Sequence, residues 1–363
     1  MRDPTAPPCA AEAVALAALR TAIRDEGLDR PTPVRALAIF ALHVAMMFAG
    51  MIQFFTSTSV WLQGLALVVS TYGALGIGMT GHNASHRGVT GNRRVDRALT
   101  YFAMTVLTGF STSFWRHKHI RLHHAGPNAV GLDIDIDLMP YFALNADEFA
   151  RSSGWRRRFY RLQHWVFPFA VGLNTVNLQL CGIRYLIELR RERRWTAGET
   201  ADVLCLLLHV LIFIVLPALY WSVGEVLLYF LLREASNGYA LFIGAAPAHF
   251  PAEARFIAAP QGSEGLLARQ IFTTVNFRTG LLGQLVCLGA QYQIEHHLLP
   301  GANPLKLARA SRMVKAFCRA HGYPYRCLGW GEGLVKSLRA LRHPKPVYRL
   351  SQLIAAEHTA AGG

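Results

Sequence analysis

Seven of the fifteen histidines stand in three tight groups, and this clustering is the strongest chemical signal in the sequence. Imidazole binds Zn, Cu, Fe and Ni alike, and so many imidazoles without a metal would leave numerous donors and acceptors to satisfy. An isolated histidine is more often a hydrogen-bonded structural residue, which is our interpretation of His43, His164 and His209. The three groups together predict a metal site that contains His82, His86, His119, His123, His124, His296 and His297.

The spacing within the first two groups places imidazoles on shared helical faces. His82 and His86 are four residues apart, so their Cβ atoms would lie about 5–6 Å from each other on one face. His119 and His123 repeat this spacing, whereas the adjacent His124 would point about 100° away, so that one helix could serve two neighbouring metals. A structural zinc needs four ligands and a catalytic zinc needs three and a water. The larger set predicts two metals with open coordination positions.

The elements that position these groups are predicted to be membrane helices. Apolar residues make up 52% of the chain and charged residues only 16%, which argues against a soluble globular protein and against disorder. Four stretches are long and apolar enough to span a bilayer, and they form two hairpins: 36–55 with 60–80, and 203–220 with 226–247. Arg233 and Glu234 lie within the last stretch, where we expect them to pair or to line a polar cavity. The six cysteines are too sparse for a disulfide framework.

Two further apolar stretches are assigned by length and charge. Residues 100–114 are too short and too rich in hydroxyl groups to span a bilayer. Residues 165–186 are long enough, but arginines flank them on both sides, and basic residues prefer the cytoplasmic face of a membrane. We therefore predict that 165–186 lie in the interface or dip in and out, with a fifth span as the alternative. The flanking arginines are Arg151, Arg156, Arg157, Arg158 and Arg161 before the stretch, and Arg190, Arg191, Arg193 and Arg194 after it.

This topology places the histidine groups on one side of the membrane. The hairpin tips carry no Lys or Arg, and the terminal segments are basic, so both termini are predicted to be cytoplasmic in a multi-pass plasma-membrane protein. Each histidine group then follows a complete hairpin and lies in the cytoplasm. The 37 Lys and Arg residues exceed the 22 Asp and Glu residues and give a net charge of +15. Membrane orientation explains this excess, so we do not expect a nucleic-acid partner.

The histidine motifs and their surroundings resemble the membrane fatty acid desaturase family. The motifs read H-x-x-x-H, H-x-x-x-H-H and Q-x-x-H-H in this order. The resemblance extends to GNRRVDRAL after the first motif, WRHKHIRLHHAGPN around the second, DIDID after the second and QYQIEHHLLPG around the third. The resemblance covers residues 36–325. It divides the chain into a cytoplasmic N-terminal segment (1–35), a desaturase domain (36–325) and a cytoplasmic C-terminal tail (326–363). The predicted fold is all-α: two transmembrane hairpins with a cytoplasmic helical cap that holds a dimetal site.

The resemblance also implies a cofactor, a ligand set and partners. It implies two iron ions, dioxygen as co-substrate, an acyl substrate and electrons from an external ferredoxin or flavoprotein reductase. The implied ligands are the seven clustered histidines and His249, which stands at the end of the fourth span. Gln293 stands where other members have histidine, and Asn83 replaces the usual aspartate of the first motif. For His117 we expect a structural or supporting role. Asp133, Asp135 and Asp137 could support ligand imidazoles or be a solvated acidic run.

The expected reaction is the removal of two hydrogens from adjacent methylenes of an acyl chain. Ordinary acid-base or nucleophilic side chains cannot start on an unactivated methylene, and we expect the chain to lie in an apolar tunnel between the second and fourth spans. A hydroxylase or acetylenase with the same metal site is the nearest alternative. A metal transporter would place ligands along a path inside the spans, and a di-haem electron carrier would place histidine pairs across the membrane interior. The acyl carrier (coenzyme A, carrier protein or lipid) stays open.

Overall fold

A computed structural model describes residues 8–259 and 265–361 of the chain. The structure is mostly helical. Its α-helices are, in chain order, α1 (Pro8–Asp25), α2 (Pro33–Thr56), α3 (Val60–Ser85), α4 (Arg93–Thr100), α5 (Thr112–Trp115), α6 (Ala146–Arg151), α7 (Gly154–Val171), α8 (Asn174–Arg191), α9 (Ala197–Val210), α10 (Leu216–Ala218), α11 (Val223–His249), α12 (Leu266–Phe272), α13 (Leu281–Cys287), α14 (Gln293–Leu298), α15 (Leu307–Ala320), α16 (Trp330–Arg342) and α17 (Leu350–Ala361).

Three π-helical segments and five short strands complete the described residues. The π-helical segments are Tyr101–Leu107, Arg116–His123 and Leu211–Val215, and Pro304–Lys306 form a 3₁₀ turn. Strands β1 (Ala129–Val130), β2 (Phe256–Ala258) and β5 (Val347–Tyr348) form a parallel sheet in the order β1-β2-β5, and β3 (Asn276–Arg278) pairs in parallel with β4 (Cys327–Gly329). The prediction of an all-α fold did not include these strands, because two or three residues are too few to show an alternating pattern.

Four helices are long and apolar enough to cross a membrane, which confirms the two predicted hairpins. They are α2, α3, the nearly continuous helix Ala197–Ala218 and α11. Three of the observed helices start earlier than predicted, and α3 continues to Ser85, so that it carries the first histidine group. Local signals explain the starts: Pro lies at the first position of α2, and Ser222 and Glu225 form a capping box at α11.

Small residues let α2 and α3 pack closely. A side chain at Gly50 would meet the Ala66 carbonyl oxygen at 2.5 Å, and one at Gly73 would meet the His43 carbonyl oxygen at 2.5 Å. Close packing over small residues is a common way for membrane helices to associate, since lipid supplies no hydrophobic force between them. The first hairpin is therefore a firm unit that carries the first histidine group at its end.

The stretch predicted to lie at the membrane interface is bent. It belongs to α7 and α8, whose axes meet at 79° after a break of only two residues. The pair counts as a fifth span only if it is one broken span. Residues 165–186 do not form one straight helix, and their place at the interface stays a prediction.

Arg233 and Glu234 pair with each other inside the membrane region, as expected. Arg233 Nη1 donates to Glu234 Oε1 at 2.7 Å, and its Nη2 donates to the Leu107 carbonyl at 2.8 Å. Gln179 donates to the other Glu234 oxygen at 3.1 Å. Both charged side chains are fully buried, so each neutralises a charge that would otherwise be very costly at this depth.

Breaking this pair is expected to destabilise the protein. Glu234→Gln leaves the buried Arg233 charge without its counter-ion, which costs about 3–5 kcal/mol of folding free energy. The double replacement Arg233→Met with Glu234→Leu removes both charges and should be much less harmful. Unfolding of the purified variants in detergent measures both values. Equal stability of Glu234→Gln and the wild type would contradict the importance of the pair.

The cap packs at the histidine-bearing ends of α3 and α11. Helix α1 contributes Leu16, Leu19 and Ile23 to an apolar cluster with residues of α12, α14 and α15. Residues after 325 also belong to this layer. Strand β4 pairs with β3, β5 pairs with β2, and α16 packs on α7 and α11. The boundaries at residues 36 and 325 stay predictions.

Candidate metal centre

The predicted ligand residues come together from four elements. His82 lies in the last turn of α3 and His86 just after it; His119, His123 and His124 lie in and just after the second π-helical segment. His249 ends α11, and His296 and His297 lie in α14. These elements end at one side of the helical bundle, so histidines separated by more than 200 residues meet there.

Five histidines form the first group, which we call the five-histidine group: His82, His86, His119, His124 and His296. One ligand nitrogen from each lies within 4.8 Å of the others. His119 is central, since its Nε2 lies 2.9 Å from His82 Nε2 and 3.1 Å from His124 Nε2. His124 Nε2 in turn lies 3.1 Å from His296 Nε2. The five nitrogens are close enough together to hold a metal ion.

Three histidines form the second group, the three-histidine group: His123, His249 and His297. Their ligand nitrogens also lie within 4.8 Å of one another. Gln293 is beside this group, because its Oε1 lies 3.3 Å from His249 Nε2 while its amide donates to the Ala290 carbonyl at 2.8 Å. The two groups are adjacent: the rings of His124 and His297 are 4.5 Å apart.

The helix that carries the second motif is π-helical and not α-helical, and this changes how its histidines are shared between the two groups. An α-helix would place His119 with His123 and turn His124 away. In the structure the His124 amide donates to the His119 carbonyl, a bond across five residues that is the mark of a π-helix. His119 and His124 therefore share the five-histidine group, and His123 joins the other one.

The histidine set fits metal ions. Several buried ring nitrogens have no hydrogen-bond partner, among them His86 Nε2, His249 Nδ1 and both nitrogens of His297, and buried polar atoms are normally satisfied. Burial and the neighbouring imidazoles lower the pKa of His86, His119, His124, His296 and His297 well below the usual histidine value. The rings are therefore neutral, which is the form that binds metals.

Asp133 and Asp135 support the second motif. His123 Nδ1 lies 2.9 Å from Asp133 Oδ2, which leaves Nε2 as the nitrogen available to a metal, and the Asn128 amide donates to the same oxygen at 2.8 Å. Burial would raise the pKa of Asp133, but His123, the Asn128 amide and Lys118 together lower it. Asp135 pairs with Lys118 and lies 3.5 Å from His123. Asp137 is exposed, so only part of the acidic run is solvated.

His117 and Asn83 lie outside both groups of ligand atoms. The His117 ring stacks on Tyr185 with the ring centres 4.9 Å apart, and its structural role stays a prediction. The Asn83 amide donates to the Leu288 carbonyl at 3.0 Å and so links α3 to the turn before α14. Neither residue is placed to be a ligand.

Two buried carboxylates that support the centre were not identified as such from the sequence. Asp202 of α9 is fully buried and accepts four hydrogen bonds, from the hydroxyls of Thr105 and Ser111 and from the amides of Thr112 and Ser113. It fixes the start of the helix that carries the second motif. Glu295 accepts bonds from the Asn276 amide at 2.7 Å and the Tyr325 hydroxyl at 2.8 Å, and burial raises its pKa to about 7. It holds α14.

Lys345 holds the loop that follows His249. Its buried Nζ donates to the carbonyls of His249 at 3.1 Å, Pro251 at 3.2 Å and Ala254 at 2.6 Å, which matches the three protons of an ammonium group. Burial lowers the pKa of Lys345, and the three carbonyls oppose this because they bond the charged form. Nothing in the local sequence indicates this role, since Lys345 acts 96 residues away from His249.

Removing the Lys345 ammonium group is expected to loosen the three-histidine group. Lys345→Met leaves three carbonyls unsatisfied, so we expect a loss of about 3 kcal/mol of folding stability and a lower metal content. Metal analysis and thermal unfolding of the purified protein measure both effects. Lys315→Met is the control, because Lys315 is exposed on α15. If the two variants behaved alike, Lys345 would not hold the centre.

An apolar cavity leads to the five-histidine group. Its empty space is about 550 Å³, part of which is open to the surroundings, and it lies mainly between α3 and α11, the second and fourth spans. On α3 its wall runs from Ala74 through Gly78 to His82, and Trp115 closes it beside the His119 ring, on which the indole stacks at 4.5 Å. Only a few polar side chains, such as Thr108 and Asn237, line it. The cavity can hold a slender apolar molecule with one end at the histidines.

These features define a membrane protein with a histidine-rich centre at the end of an apolar cavity. The sequence matches the fatty acid desaturase family over residues 57–329, and the chain belongs to that family. The sequence-based assignment to the membrane fatty acid desaturases is thereby confirmed, and a role in fatty acid desaturation follows at the level of the family.

Curated relatives are desaturases of several kinds. The chain is 28% identical over 323 residues to the Delta(5) fatty acid desaturase fat-4 of Caenorhabditis elegans, covering 85% of this chain and 68% of the relative. It is 28% identical over 269 residues to the Delta(8)-fatty-acid desaturase of Euglena gracilis (73% and 64%). It is 25% identical over 314 residues to the Delta(8)-fatty-acid desaturase 2 of Arabidopsis thaliana (79% and 64%). The chain thus covers less than two thirds of the last two proteins.

Proposed function

We propose that this protein uses two iron ions, dioxygen and external electrons to introduce a double bond into an acyl chain held in the cavity between α3 and α11. The observation that carries the proposal is the contact between cavity and centre, since His82 belongs to both. An acyl chain in this cavity would have its methylenes beside the five-histidine group.

The five-histidine and three-histidine groups would each hold one iron ion, with Gln293 beside the second. Bound iron would supply, with dioxygen, the oxidant that an unactivated methylene requires. The protein's own residues perform the other tasks. Asp133 fixes the orientation of His123 through Nδ1, and Lys345 and Asn128 fix the backbone of His249. Such supporting contacts usually change metal affinity by about 10- to 100-fold.

The cavity would select the reacting carbons by position. Most of the lining, such as Ala74, Gly78 and Leu241, offers no polar partner, so a bound chain would be held mainly by burial. The carbon pair that reacts is then the pair that lies beside His82 and Trp115 when the chain is fully inserted. Holding the reactants at a fixed distance is a large part of catalysis in such a site.

The basic residues at the histidine-bearing end indicate orientation and partners. The exposed arginines on either side of residues 165–186 would lie against anionic lipid headgroups on the cytoplasmic face of the plasma membrane. The centre would then face the cytoplasm, where a ferredoxin or a flavoprotein reductase can deliver electrons. The acyl chain would carry its coenzyme A, carrier-protein or lipid headgroup on the same side.

A substitution at Gly78 tests the place of the acyl chain. Gly78 lines the cavity, and a Cβ atom there would meet nothing within 4 Å, so Gly78→Phe introduces a ring at the cavity wall without a clash at its Cβ. We expect at least a tenfold loss of unsaturated product at unchanged metal content, because one pocket-filling group is worth about 1–3 kcal/mol. Acyl chains from a host that expresses each variant are measured by mass spectrometry with double-bond localisation.

The control is Gly64→Phe on the same helix. Gly64 is exposed and also has no atom near its side-chain position, but it lies outside the cavity, so the product should be unchanged. Undiminished product from Gly78→Phe would place the acyl chain elsewhere. If the wild type produced hydroxylated or triple-bonded chains, its reaction would be hydroxylation or acetylene formation and not desaturation.

A further inference from the structure

The chain between Arg278 and Glu295 contains no charged residue and no histidine, and the reaction proposed above gives a place only to Gln293 near its end. It contains α13, whose seven residues are only about 10 Å long and far too short to span a bilayer. Composition alone would therefore leave it in the cap. Its contacts place it elsewhere.

Helix α13 lies deep along α3. The Tyr72 hydroxyl donates to the Leu282 carbonyl at 2.5 Å, and Tyr72 stands near the middle of α3, thirteen residues before Ser85. At 1.5 Å per residue this is about 20 Å from the histidine-bearing end of the helix. Helical side chains tilt toward the N-terminus of their helix, which for α3 is away from the histidines. Leu282 therefore lies at the level of the hydrocarbon core.

The two sides of α13 differ. On the inner side Val286 and Cys287 are buried and pack with Leu75 and Met79, two residues that also line the acyl cavity. On the outer side Leu281 is 84% exposed and Leu282 is 74% exposed. The lipid-facing surface of α3 is similar, with Leu65 60% exposed. Gln284 is also exposed, but the two leucines of the outer side continue the apolar surface of a membrane span.

Two backbone carbonyls of this segment accept hydrogen bonds from side chains of α3. Irregular backbone at membrane depth is tolerated only where protein satisfies it. Tyr72 donates to the Leu282 carbonyl, and Asn83 donates to the Leu288 carbonyl at 3.0 Å. The neighbouring Trp330 packs beside Gly283, and its indole donates to the Ile243 carbonyl at 2.9 Å. Ile243 lies six residues before the end of α11, close to where tryptophans mark membrane interfaces.

We propose that residues 279–288 form a re-entrant element, which enters the bilayer beside α3 and contacts lipid acyl chains through Leu281 and Leu282. Its inner side packs against Leu75 and Met79 of α3, which line the acyl cavity. The element thus separates this part of the cavity wall from lipid. The inference depends on the four spanning helices and not on the reaction proposed above. It also gives Asn83 a role, because its amide satisfies a carbonyl at the base of the element.

Site-specific photo-crosslinking in native membranes tests the proposal. A diazirine amino acid replaces Leu281, Leu65 or Val14 one at a time in the full chain, and irradiated protein is searched for phospholipid adducts by mass spectrometry. Leu65 is the lipid-facing comparison, and Val14 is 70% exposed on α1, outside the spans. We expect lipid adducts when the diazirine replaces Leu281 or Leu65, and no adduct when it replaces Val14. An adduct at 65 without one at 281 would overturn the proposal.

A charge substitution gives a second, independent readout. Leu281→Arg is expected to lower the amount of folded, membrane-integrated protein, because a charged side chain on a lipid-facing surface is costly. Val14→Arg should leave that amount unchanged. Equal amounts of the two variants would show that Leu281 faces water and would also overturn the proposal.

Discussion

Replacing His119 with alanine is expected to abolish product formation. His119 is the centre of the five-histidine group, with its Nε2 2.9 Å from that of His82 and 3.1 Å from that of His124. Loss of a supporting residue already lowers metal affinity or activity about 10- to 100-fold, so loss of a ligand should cost at least about a hundredfold. Unsaturated product and metal content of the purified variant measure this effect.

The matched control for this experiment lies two residues earlier on the same helix. His117 stacks on Tyr185 and points away from the metal groups. Replacing it with alanine removes the same side chain from the same π-helical segment, and we expect the variant to keep its bound metal and most of its activity. Equal losses in the two variants would show that the helix, and not the ligand, is what the substitution disturbs.

Replacing Asp133 with asparagine is expected to weaken metal binding selectively at the three-histidine group. The carboxylate holds His123 Nδ1 at 2.9 Å and receives the Asn128 amide at 2.8 Å. Asparagine keeps the shape but loses the charge and one acceptor, so the His123 ring is less firmly oriented. We expect metal affinity at this group to fall by about 10- to 100-fold, as measured by metal titration of the purified protein.

Asp137 provides the comparison for Asp133. It belongs to the same alternating acidic run but is exposed, so Asp137→Asn should leave metal affinity unchanged. The prediction for Asp133 fails if its variant retains wild-type affinity. It also fails if both variants lose affinity equally, since a general charge effect would then explain the result.

Local patterns predicted the spans and the metal-binding character of the histidines. A run of about twenty uncharged apolar residues has few alternatives to a membrane helix, and the spacing of His82 and His86 already suits a shared site. The bilayer then brings the histidine groups together, because the helices that carry them end on the same side of the membrane. His249 was included only through the family resemblance, and the structure places it beside His123 and His297.

Features that depend on distant contacts could not be predicted. The π-helical segment regroups His124 with His119, and no residue in the second motif distinguishes it from an α-helix. Lys345 reaches the His249 carbonyl across 96 residues, and Asp202 reaches the Thr112 amide across 90 residues. Both are single polar residues whose purpose becomes visible only when the partner backbone lies beside them. The short uncharged stretch after Arg278 is also recognisable as a membrane element only from its contact with Tyr72.

Isotope transfer from a labelled acyl chain tests the central claim most directly. A host that expresses the wild-type protein is given a fully deuterated saturated fatty acid, with a His119→Ala strain as the control, and the products are analysed by mass spectrometry with double-bond localisation. The account predicts a product that has lost two deuterium atoms at one pair of adjacent carbons and has gained no oxygen, and that is absent from the control. A labelled chain that retains all but one deuterium and carries a new hydroxyl group would contradict desaturation.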